Sequence, residues 1–501
     1  MAGNSDAEIV IIGSGISGLS AAHKLVHSGF DKVRILEATS RSGGRIQTAN
    51  IGNVITEIGA SYIHGASEQN PVFCLSLDYG LLDPEASLPE NMAMEVDERP
   101  PFIPNYFSSS GQRLSAEIMN PARDLFNELM DDINEFQDPK EKPWPNIGHF
   151  LQSEARKRAA ERWKHKDKTT QKLLLCAISA MVKGECTSNA TTTMENIDIE
   201  GYCIYKPLPG LDCTFPGGFE GLVKKLMMEL PADLVSYNRP VRCIHWNNTE
   251  DRVNTVTVEC DDAEKITADH VIVTVSLGYL KKHHSTLFSP PLPAHKLLSI
   301  HKLGYGTCNK IYVEFDFPWW DDDCEIIYLV WNDEEDIVDH VSDLKTSWIR
   351  KLSTFTVLKH PKTETYQKNS HVLCGWISGH EAEHMETLTE QQLRQALIGL
   401  FHTFTGDPSV TPKRILRTQW FNDPWACGSF CYPAIGFIAD DLKNMAEPLP
   451  TTEVQSQPLQ VLFAGEATHS EAFSTVHGAL LSGWREADRL INHYSSFSSS
   501  S

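Results

Sequence analysis

The sequence lacks any run of 18 or more apolar residues, and its opening MAGNSDAEIV carries neither a basic flank nor an apolar signal core. A membrane-spanning helix and a secretory signal peptide are therefore not expected. None of the twelve cysteines forms a C-x-x-C pair, which argues against a structural zinc site and against a disulfide framework. We expect reduced cysteines, an intracellular protein and no bound metal.

Basic residues are also in short supply, because 44 lysines and arginines face 66 acids and the net charge is −22. This balance disfavours nucleic-acid binding, and it indicates either a solubility feature or a field that attracts cationic ligands. The basic run ARKRAAERWKHKDK is interpreted as one solvated helix face. With 501 residues, 41% of them hydrophobic, the chain has room for two or three domains. The serine-rich residues 496–501 are expected to be a disordered tail.

The stretch EIVIIGSGISGLSAAHKL places glycines where an apolar strand, Ile9–Ile12, turns into a helix. Gly13 permits the tight turn, Gly15 lets the backbone approach a pyrophosphate, and Gly18 allows close helix packing. Glu37 follows about 20 residues later, at the end of a second strand, where an acid binds a ribose 2′-hydroxyl. The pattern predicts a dinucleotide site, and both NAD and FAD fit it at this point.

Two further segments favour FAD over NAD. In ATSRSGGR, Gly43 and Gly44 bring the backbone near a ligand and Arg45 offers a phosphate contact. Near the end, LFAGEATHSEAFSTVHGALLSG reads as a strand, a Gly-Glu turn and a helix that begins near Val476. The amides at this helix start are suited to the electron-rich end of a flavin ring. A nicotinamide enzyme does not need these two segments.

Three separated segments, GSGISG…LEATSRSGGR, GASYIHG and LFAGEATH…STVHGALLSG, resemble the flavin-containing amine oxidases. Within that family, LPGLDC, GGFEGL and KLGYGTCNKIYVEF are most similar to the N1-acetylpolyamine oxidase branch, with the spermine oxidases as neighbours. The resemblance implies an α/β fold with a discontinuous Rossmann-type FAD-binding domain and a mixed α+β substrate domain. The first comprises residues 1–80, 203–290 and 411–495, and the second residues 81–202 and 291–410.

The resemblance also assigns residues to FAD. It implies that Glu37 binds the adenosine ribose, Arg45 the pyrophosphate and Val241 the adenine. Gly428 occupies the position at which monoamine oxidases carry their linking cysteine, so noncovalent FAD is expected. The other matching positions are Ile16, Ser61, Tyr62, Glu466, Thr475 and Val476. For Ser61, Tyr62 and Val241, the alternative to an FAD contact is ordinary packing against neighbouring residues.

Two residues are candidates for catalysis. Lys310 lies at the centre of an apolar strand, where a buried ammonium without a partner would cost several kcal/mol. The resemblance implies that it holds a water near flavin N5. A lone histidine is more often structural than catalytic, but the resemblance places His64 at the substrate, where we expect it to bind the amine first and to act as a base second.

Five positions are substrate candidates by resemblance. Glu185 would pair with a distal ammonium, or it is a surface loop acid, and Ser188 is a further contact. Cys308 departs from the branch, which carries an amide side chain here, so the acetamide contact is in doubt. Tyr432 and Phe473 are the favoured aromatic neighbours of the substrate.

The implied reaction is FAD-dependent oxidation of N1-acetylspermine or N1-acetylspermidine by O₂, giving spermidine or putrescine, 3-acetamidopropanal and H₂O₂. Alternatives are a spermine oxidase, an NAD-dependent dehydrogenase and a noncatalytic flavoprotein. The expected partners are a polyamine and O₂, without nucleic acid or membrane, and the expected state is a monomer. The branch is peroxisomal, but the chain does not end in a Ser-Lys-Leu-like tripeptide, so the cytoplasm is the other expected location.

Overall fold

The computed structural model describes residues 6–96, 101–134, 144–247, 255–337, 343–359, 369–450 and 459–498. Within these residues the strands are β1 Ile9–Ile12, β2 Val33–Leu36, β3 Thr48–Ile51, β4 Val54–Glu57, β5 Pro104–Ser108, β6 Gln112–Leu114, β7 Val235–Ser236, β8 Val241–His245, β9 Val256–Cys260, β10 Lys265–Ala268, β11 His270–Val273, β12 Phe288–Ser289, β13 Gly304–Gly306, β14 Cys308–Glu314, β15 Ile326–Val330, β16 Thr354–Lys359, β17 Asn369–Ser378, β18 Arg414–Arg417, β19 Phe430–Tyr432 and β20 Val461–Phe463.

The α-helices of the described residues are likewise numbered in chain order. They are α1 Ile16–His27, α2 Pro71–Asp78, α3 Pro89–Met92, α4 Ala116–Asn134, α5 Ile147–Arg162, α6 Lys168–Ser188, α7 Ile199–Tyr202, α8 Glu220–Met228, α9 Leu277–Leu287, α10 Ala294–Lys302, α11 Leu344–Ser347, α12 Gly379–Thr387, α13 Glu390–Thr405, α14 Ala439–Ala446 and α15 Val476–Ser498. Among these helices, none combines the length and the hydrophobicity that crossing a bilayer requires.

A five-stranded sheet with the order β20-β11-β1-β2-β7 holds the glycine-rich loop. Its strands pair in parallel, and every residue of β1 and β11 is buried. Continuous apolar strands of this kind are typical of parallel sheets that are covered on both faces. Helix α1 packs against α15, which brings an early and a late segment of the chain together beside this sheet. The predicted strand, glycine turn and helix are confirmed.

Strands β8 and β11, from the middle of the chain, lie in two different sheets. Strand β11 joins the parallel sheet, whereas β8 belongs to a four-stranded sheet with the order β10-β9-β8-β12. The two sheets share one hydrophobic cluster, in which Val241 of β8 packs with Val10, Ile12 and Leu36. The four-stranded sheet therefore lies against the parallel sheet near the carboxyl end of β2.

The second large unit is a seven-stranded sheet with the order β18-β14-β17-β16-β15-β5-β6. Its side chains alternate between two cores, as the two-residue period of a strand requires. Tyr106 packs with helices α4 to α6, and the next residue, Phe107, packs with α13 on the other face. This α/β arrangement with a second, mixed unit agrees with the predicted fold class.

Two of the predicted domain boundaries lie close to strand β18 and within helix α15. Strand β18 follows the predicted boundary between residues 410 and 411, and it pairs with β14 in the seven-stranded sheet. Helix α15 continues to Ser498, so residues 496–498 of the predicted tail are helical, while 499–501 lie outside the described residues. The division into domains stays a prediction.

Hairpin β3-β4 connects the two units. Ile51 and Val54 of this hairpin form a small core with Tyr312 of β14 and with Val372 and Cys374 of β17. The chain that leaves the glycine-rich region is thereby held against the strand that carries Lys310. A shorter ribbon, β13 paired with β19, joins residues 304–306 to residues 430–432.

Candidate active site

The glycine-rich loop has the geometry of a nucleotide cradle. Gly13 has a φ of +102°, and a Cβ added there would lie 2.7 Å from Thr274 Oγ1. A Cβ on Gly18 would lie 2.1 Å from the Gly13 carbonyl oxygen, so only glycine lets α1 pack this closely. A Cβ on Gly15 or on Gly465 would meet nothing within 4 Å. These two glycines thus border open space, as the backbone around a bound pyrophosphate should.

Glu37 is tied to the loop by its carboxylate. One oxygen accepts hydrogen bonds from the Ser14 amide (2.9 Å) and hydroxyl (2.7 Å), and the other accepts from the Thr39 amide (2.9 Å) and hydroxyl (2.8 Å). The amide of Arg239 donates to the Glu37 carbonyl at 2.8 Å, two residues before Val241. The predicted ribose acid and the predicted adenine contact are therefore near each other at the end of β2.

Arg45 and Glu466, predicted as separate cofactor contacts, form one ion pair. Arg45 Nη1 lies 2.9 Å from Glu466 Oε1, and it also donates to the Ser429 carbonyl oxygen at 2.7 Å. The second oxygen of Glu466 accepts from the Ser474 amide at 3.0 Å and from the Cys431 thiol at 2.9 Å. The guanidinium is consequently fixed in place beside the open cradle, where a pyrophosphate would complete its contacts.

Two helices begin at this cradle. Ile16 is the first residue of α1, and Val476 is the first residue of α15, as predicted. The Thr475 hydroxyl donates to the Ala472 carbonyl at 2.7 Å and accepts from the Gly478 amide at 3.0 Å. The free amides and the positive dipole at such helix starts favour negative charge.

Lys310 lies in the middle of β14 and is buried. Its ammonium donates to the carbonyl oxygens of Glu57 (2.7 Å) and Gly59 and to the Ser61 hydroxyl (2.5 Å). It also lies 4.8 Å from the centre of the Trp376 ring. Burial lowers the pKa of Lys310, which eases release of a proton from its nitrogen. Lys310 is buried, as its apolar neighbours predict, and the role that the resemblance implies for it stays a prediction.

The segment that accepts these hydrogen bonds is held from several sides. The Tyr312 hydroxyl donates to the Glu57 carbonyl at 2.6 Å, and the Trp420 indole donates to the Ile58 carbonyl at 3.0 Å. A few residues on, burial raises the pKa of Tyr62 to about 12, so its phenol stays neutral. The contacts of β14 thereby fix the chain that leads to His64.

His64 is oriented by an acid that the sequence interpretation missed. Its Nδ1 lies 2.7 Å from Asp212 Oδ2, and the other oxygen of Asp212 accepts from the Gly65 amide at 2.9 Å. The Asn70 side chain donates to the His64 carbonyl at 2.8 Å. When the imidazole is neutral and Nδ1 donates to the carboxylate, Nε2 has a free lone pair, and half of the side chain is exposed. This imidazole is suited to accept a hydrogen bond from an amine.

Cys308 lies two residues before Lys310, on the same strand face, and is buried. The neighbouring Asn309 faces the other way: its amide donates to Glu386 Oε1 at 2.6 Å, and its oxygen accepts from the Thr418 hydroxyl at 2.8 Å. Asn309 therefore cannot supply the amide that Cys308 lacks.

Glu185 lies in the last turn of α6 and not in a surface loop. Its Oε1 accepts hydrogen bonds from the Asn189 side chain at 3.1 Å and from the Tyr202 hydroxyl at 3.3 Å. Burial raises the pKa of Glu185, and these two donors oppose that shift. Ser188 ends the same helix and is exposed.

The two aromatic candidates have different surroundings. The Tyr432 ring covers Gly304 of the adjoining strand, because a Cβ there would lie 2.4 Å from its ring carbon. Phe473 is only 4% exposed, and its ring packs edge-on against Tyr205 (5.9 Å) and Phe437 (6.4 Å). Phe473 thus belongs to a hydrophobic core in this structure, and its predicted substrate contact stays a prediction.

The family model described as flavin containing amine oxidoreductase matches residues 16–491. The chain belongs to this family. Similar curated proteins include the peroxisomal N(1)-acetyl-spermine/spermidine oxidases of Homo sapiens, 42% identical over 97% of this chain and 94% of theirs, and of Bos taurus, 41% identical over 96% and 94%. A redesigned putrescine oxidase of known structure, 19% identical, superposes with a TM-score of 0.64 over 97% of this chain and 99% of its own, which supports the fold.

As a flavin-containing amine oxidoreductase, the chain uses FAD, and its residues fit that cofactor. Open space borders Gly15 and Gly465. The Arg45 guanidinium and the start of α1 offer positive charge to a pyrophosphate, and the start of α15 offers it to the flavin ring.

Sequence reasoning missed Asp212 and Ser14 in this amine oxidase. Asp212 lies 148 residues from His64, and contacts such as the bridge between Ile63 and Cys213 bring them together. Within the sequence, its one available signal was its place in LPGLDC, a stretch that supported the family resemblance. Ser14 lies between Gly13 and Gly15, and the glycine pattern gives no signal for its hydrogen bonds to Glu37.

Proposed function

We propose that this amine oxidase acts on N1-acetylated polyamines. Its reaction would convert N1-acetylspermine to spermidine, or N1-acetylspermidine to putrescine, with 3-acetamidopropanal and H₂O₂ as the other products. One O₂ and one water are consumed for each carbon–nitrogen bond cleaved. The proposal is supported by the relatives at 41 to 42% identity and by one observation: Lys310 and His64 bracket a single rigid segment. FAD supplies two-electron oxidation of the amine, with O₂ as the final acceptor.

His64 would bind the reacting nitrogen. Electrons leave a carbon readily only when the adjacent nitrogen is uncharged, so the site must accept a neutral secondary amine. Nε2 of His64 can accept the amine N–H because Asp212 holds the proton on Nδ1. The pair also provides a place for a proton that the amine releases on binding.

Lys310 would hold a proton close to the reacting centre. Its ammonium is fixed by Ser61 and two carbonyl oxygens, and of these three partners the serine hydroxyl is the one that can rotate. A water that replaces the Ser61 contact would then be held by Nζ in a defined place. Because burial lowers the pKa of Lys310, this group can exchange a proton near neutral pH more easily than a free lysine.

Glu185 would set the preferred substrate length, because its half-buried carboxylate can pair with a distal ammonium. Tyr432 and Ser188 are proposed contacts along the same path. Domains divided as the sequence predicts, noncovalent FAD and a monomeric state are part of the proposal. So is a peroxisomal location, which the names of the two mammalian relatives suggest.

The test is anaerobic stopped-flow mixing of the purified protein with N1-acetylspermine, spermine and benzylamine, with flavin absorbance as the readout. The fastest loss of absorbance with N1-acetylspermine is expected. The fastest loss with spermine would assign the chain to the second candidate, a spermine oxidase, which the thiol of Cys308 favours because it cannot bond an acetamide as an amide does. No reduction by any of the three would contradict the proposal.

The Cys308→Asn variant refines this test. If the missing amide limits recognition of the acetyl group, the variant should react faster with N1-acetylspermine and unchanged with spermine. Equal effects on both substrates would contradict a specific role of this position.

A further inference from the structure

The end of helix α1 that lies away from the glycine-rich loop carries two histidines one turn apart. His23 and His27, in the stretch HKLVH, have ring centroids 4.1 Å apart. The spacing of four residues places both rings on one face of the helix. In the proposed reaction these residues have no role, because the cofactor cradle is at the other end of the helix.

A third group reaches the two rings from helix α8. Glu229, the residue that follows this helix, places Oε2 at 2.6 Å from His23 Nε2. One nitrogen of each histidine and one oxygen of Glu229 all lie within 4.8 Å of one another. Two imidazoles and a carboxylate thus converge from two elements that are distant in sequence.

His27 and Glu229 are themselves held by further hydrogen bonds. His27 Nδ1 lies 2.7 Å from the His23 carbonyl oxygen, so Nδ1 carries the proton and Nε2 keeps the lone pair that a metal requires. The Tyr79 hydroxyl is hydrogen bonded to Glu229. An outer partner for one histidine and one for the carboxylate is the usual support of a metal site. The negative end of the α1 dipole further favours a cation here.

We propose that His23, His27 and Glu229 bind one divalent transition-metal ion, with Zn²⁺ as the best match. Imidazole nitrogens with one carboxylate suit zinc, whereas Ca²⁺ and Mg²⁺ prefer oxygen ligands alone. The three protein donors leave a position for water. The ion would clamp the C-terminal ends of α1 and α8 together and so stabilise the unit that holds the cofactor.

The chain offers a matched control for this site. His295 Nε2 lies 2.7 Å from Glu447 Oε2, the same kind of exposed pair as His23 with Glu229 but without the second histidine one helical turn away. If a surface histidine and a glutamate sufficed, both places would bind zinc equally. The control separates a three-donor site from an ordinary ion pair.

The experiment is a calorimetric titration of Zn²⁺ into the untagged, FAD-loaded protein, combined with thermal unfolding. The wild type should bind one ion more than His27→Ala, or bind it at least tenfold more tightly, and zinc should raise its melting temperature. Glu229→Gln should behave as His27→Ala, and His295→Ala as the wild type. Identical titrations of the wild type and His27→Ala would overturn the proposal. So would a His295→Ala variant that loses the same ion.

Discussion

Two regions of this molecule bury a lysine in nearly the same way, and one of them is the candidate active site. Lys310 lies in a strand beside that site, and Lys296 lies earlier in the chain, in α10, which packs against α14. Each is at most 5% exposed, each faces an aromatic ring, and burial lowers the pKa of each, for Lys296 to about 7. The Lys296 ammonium donates to the carbonyl oxygens of Asn444, Met445 and Glu447.

The difference lies in the partners. All acceptors of Lys296 are carbonyls at the C-terminal end of α14, which otherwise lack partners within the helix. Lys310 has a serine hydroxyl among its acceptors, on the segment that continues to His64. Burial and a lowered pKa therefore do not identify a catalytic lysine. A partner that can move, and a second functional group nearby, are the informative features.

The largest expected effect is on enzymatic activity, and it distinguishes Lys310 from Lys296. Lys310→Met should lower the rate of amine oxidation by about 10²-fold or more, because it removes the proton-bearing group beside the reacting centre. Lys296→Met should leave that rate unchanged. Oxygen consumption at saturating N1-acetylspermine measures both variants, and flavin content shows whether each still binds the cofactor. Equal losses in the two variants would show that burial alone explains the effect.

The second prediction concerns the other end of the rigid segment. Asp212→Asn keeps the shape of the side chain but removes the charge that holds the His64 proton on Nδ1. We expect a loss of about 10- to 100-fold in kcat/KM, the range of one hydrogen bond to a charged group. The loss should fall on amine oxidation while the flavin content stays that of the wild type. An equal loss of bound flavin would mean that Asp212 only supports the Gly65 turn.

The third prediction concerns stability. Lys296→Met leaves several helix-end carbonyls without a donor, and we expect the free energy of unfolding to fall by about 1–3 kcal/mol. Lys310→Met should lose a comparable amount, because Lys310 also donates to two carbonyl oxygens, so only activity separates the two variants. Urea unfolding of the FAD-loaded protein, monitored by fluorescence, measures both losses. Full stability of Lys296→Met would contradict the capping role.

The fourth prediction concerns a buried histidine, and its effect is confined to acid pH. His477 is 3% exposed, and among the described residues its Nε2 has no hydrogen-bond partner. Burial, together with the nearby His64 and His469, lowers the pKa of His477 from 6.5 to about 4. The unfolded chain thus binds more protons than the folded chain between pH 4 and 6.5, so stability should rise with pH across this window.

The slope from this one group is at most about 1.4 kcal/mol per pH unit. The variant His477→Gln should flatten the curve of unfolding free energy against pH between 4 and 6.5 and leave it unchanged above pH 7. Chemical denaturation at a series of pH values gives the curve. A slope that is the same in the variant and the wild type would show that other groups titrate in this range.

Features that depend on neighbouring residues were predictable. The strand Ile9–Ile12, the positive φ at Gly13 and the helix start at Val476 follow from apolar periodicity and turn chemistry, which act within a few residues. Lys310 could also be singled out from the sequence, because an ammonium in an apolar strand needs partners wherever the strand lies. These residues supported the family resemblance and the prediction of FAD, and the family model agrees with both.

Features that depend on how distant segments meet could not be predicted in this way. Arg45 and Glu466 are 421 residues apart and form one ion pair, and Asp212 reaches His64 across 148 residues. The register of β14 turns Asn309 away from the Lys310 side, and packing places Phe473 in a core. The sequence by itself determined local backbone geometry and the kinds of chemical groups present. Only the tertiary structure decided which of them meet, because such contacts depend on strand register and on packing between units.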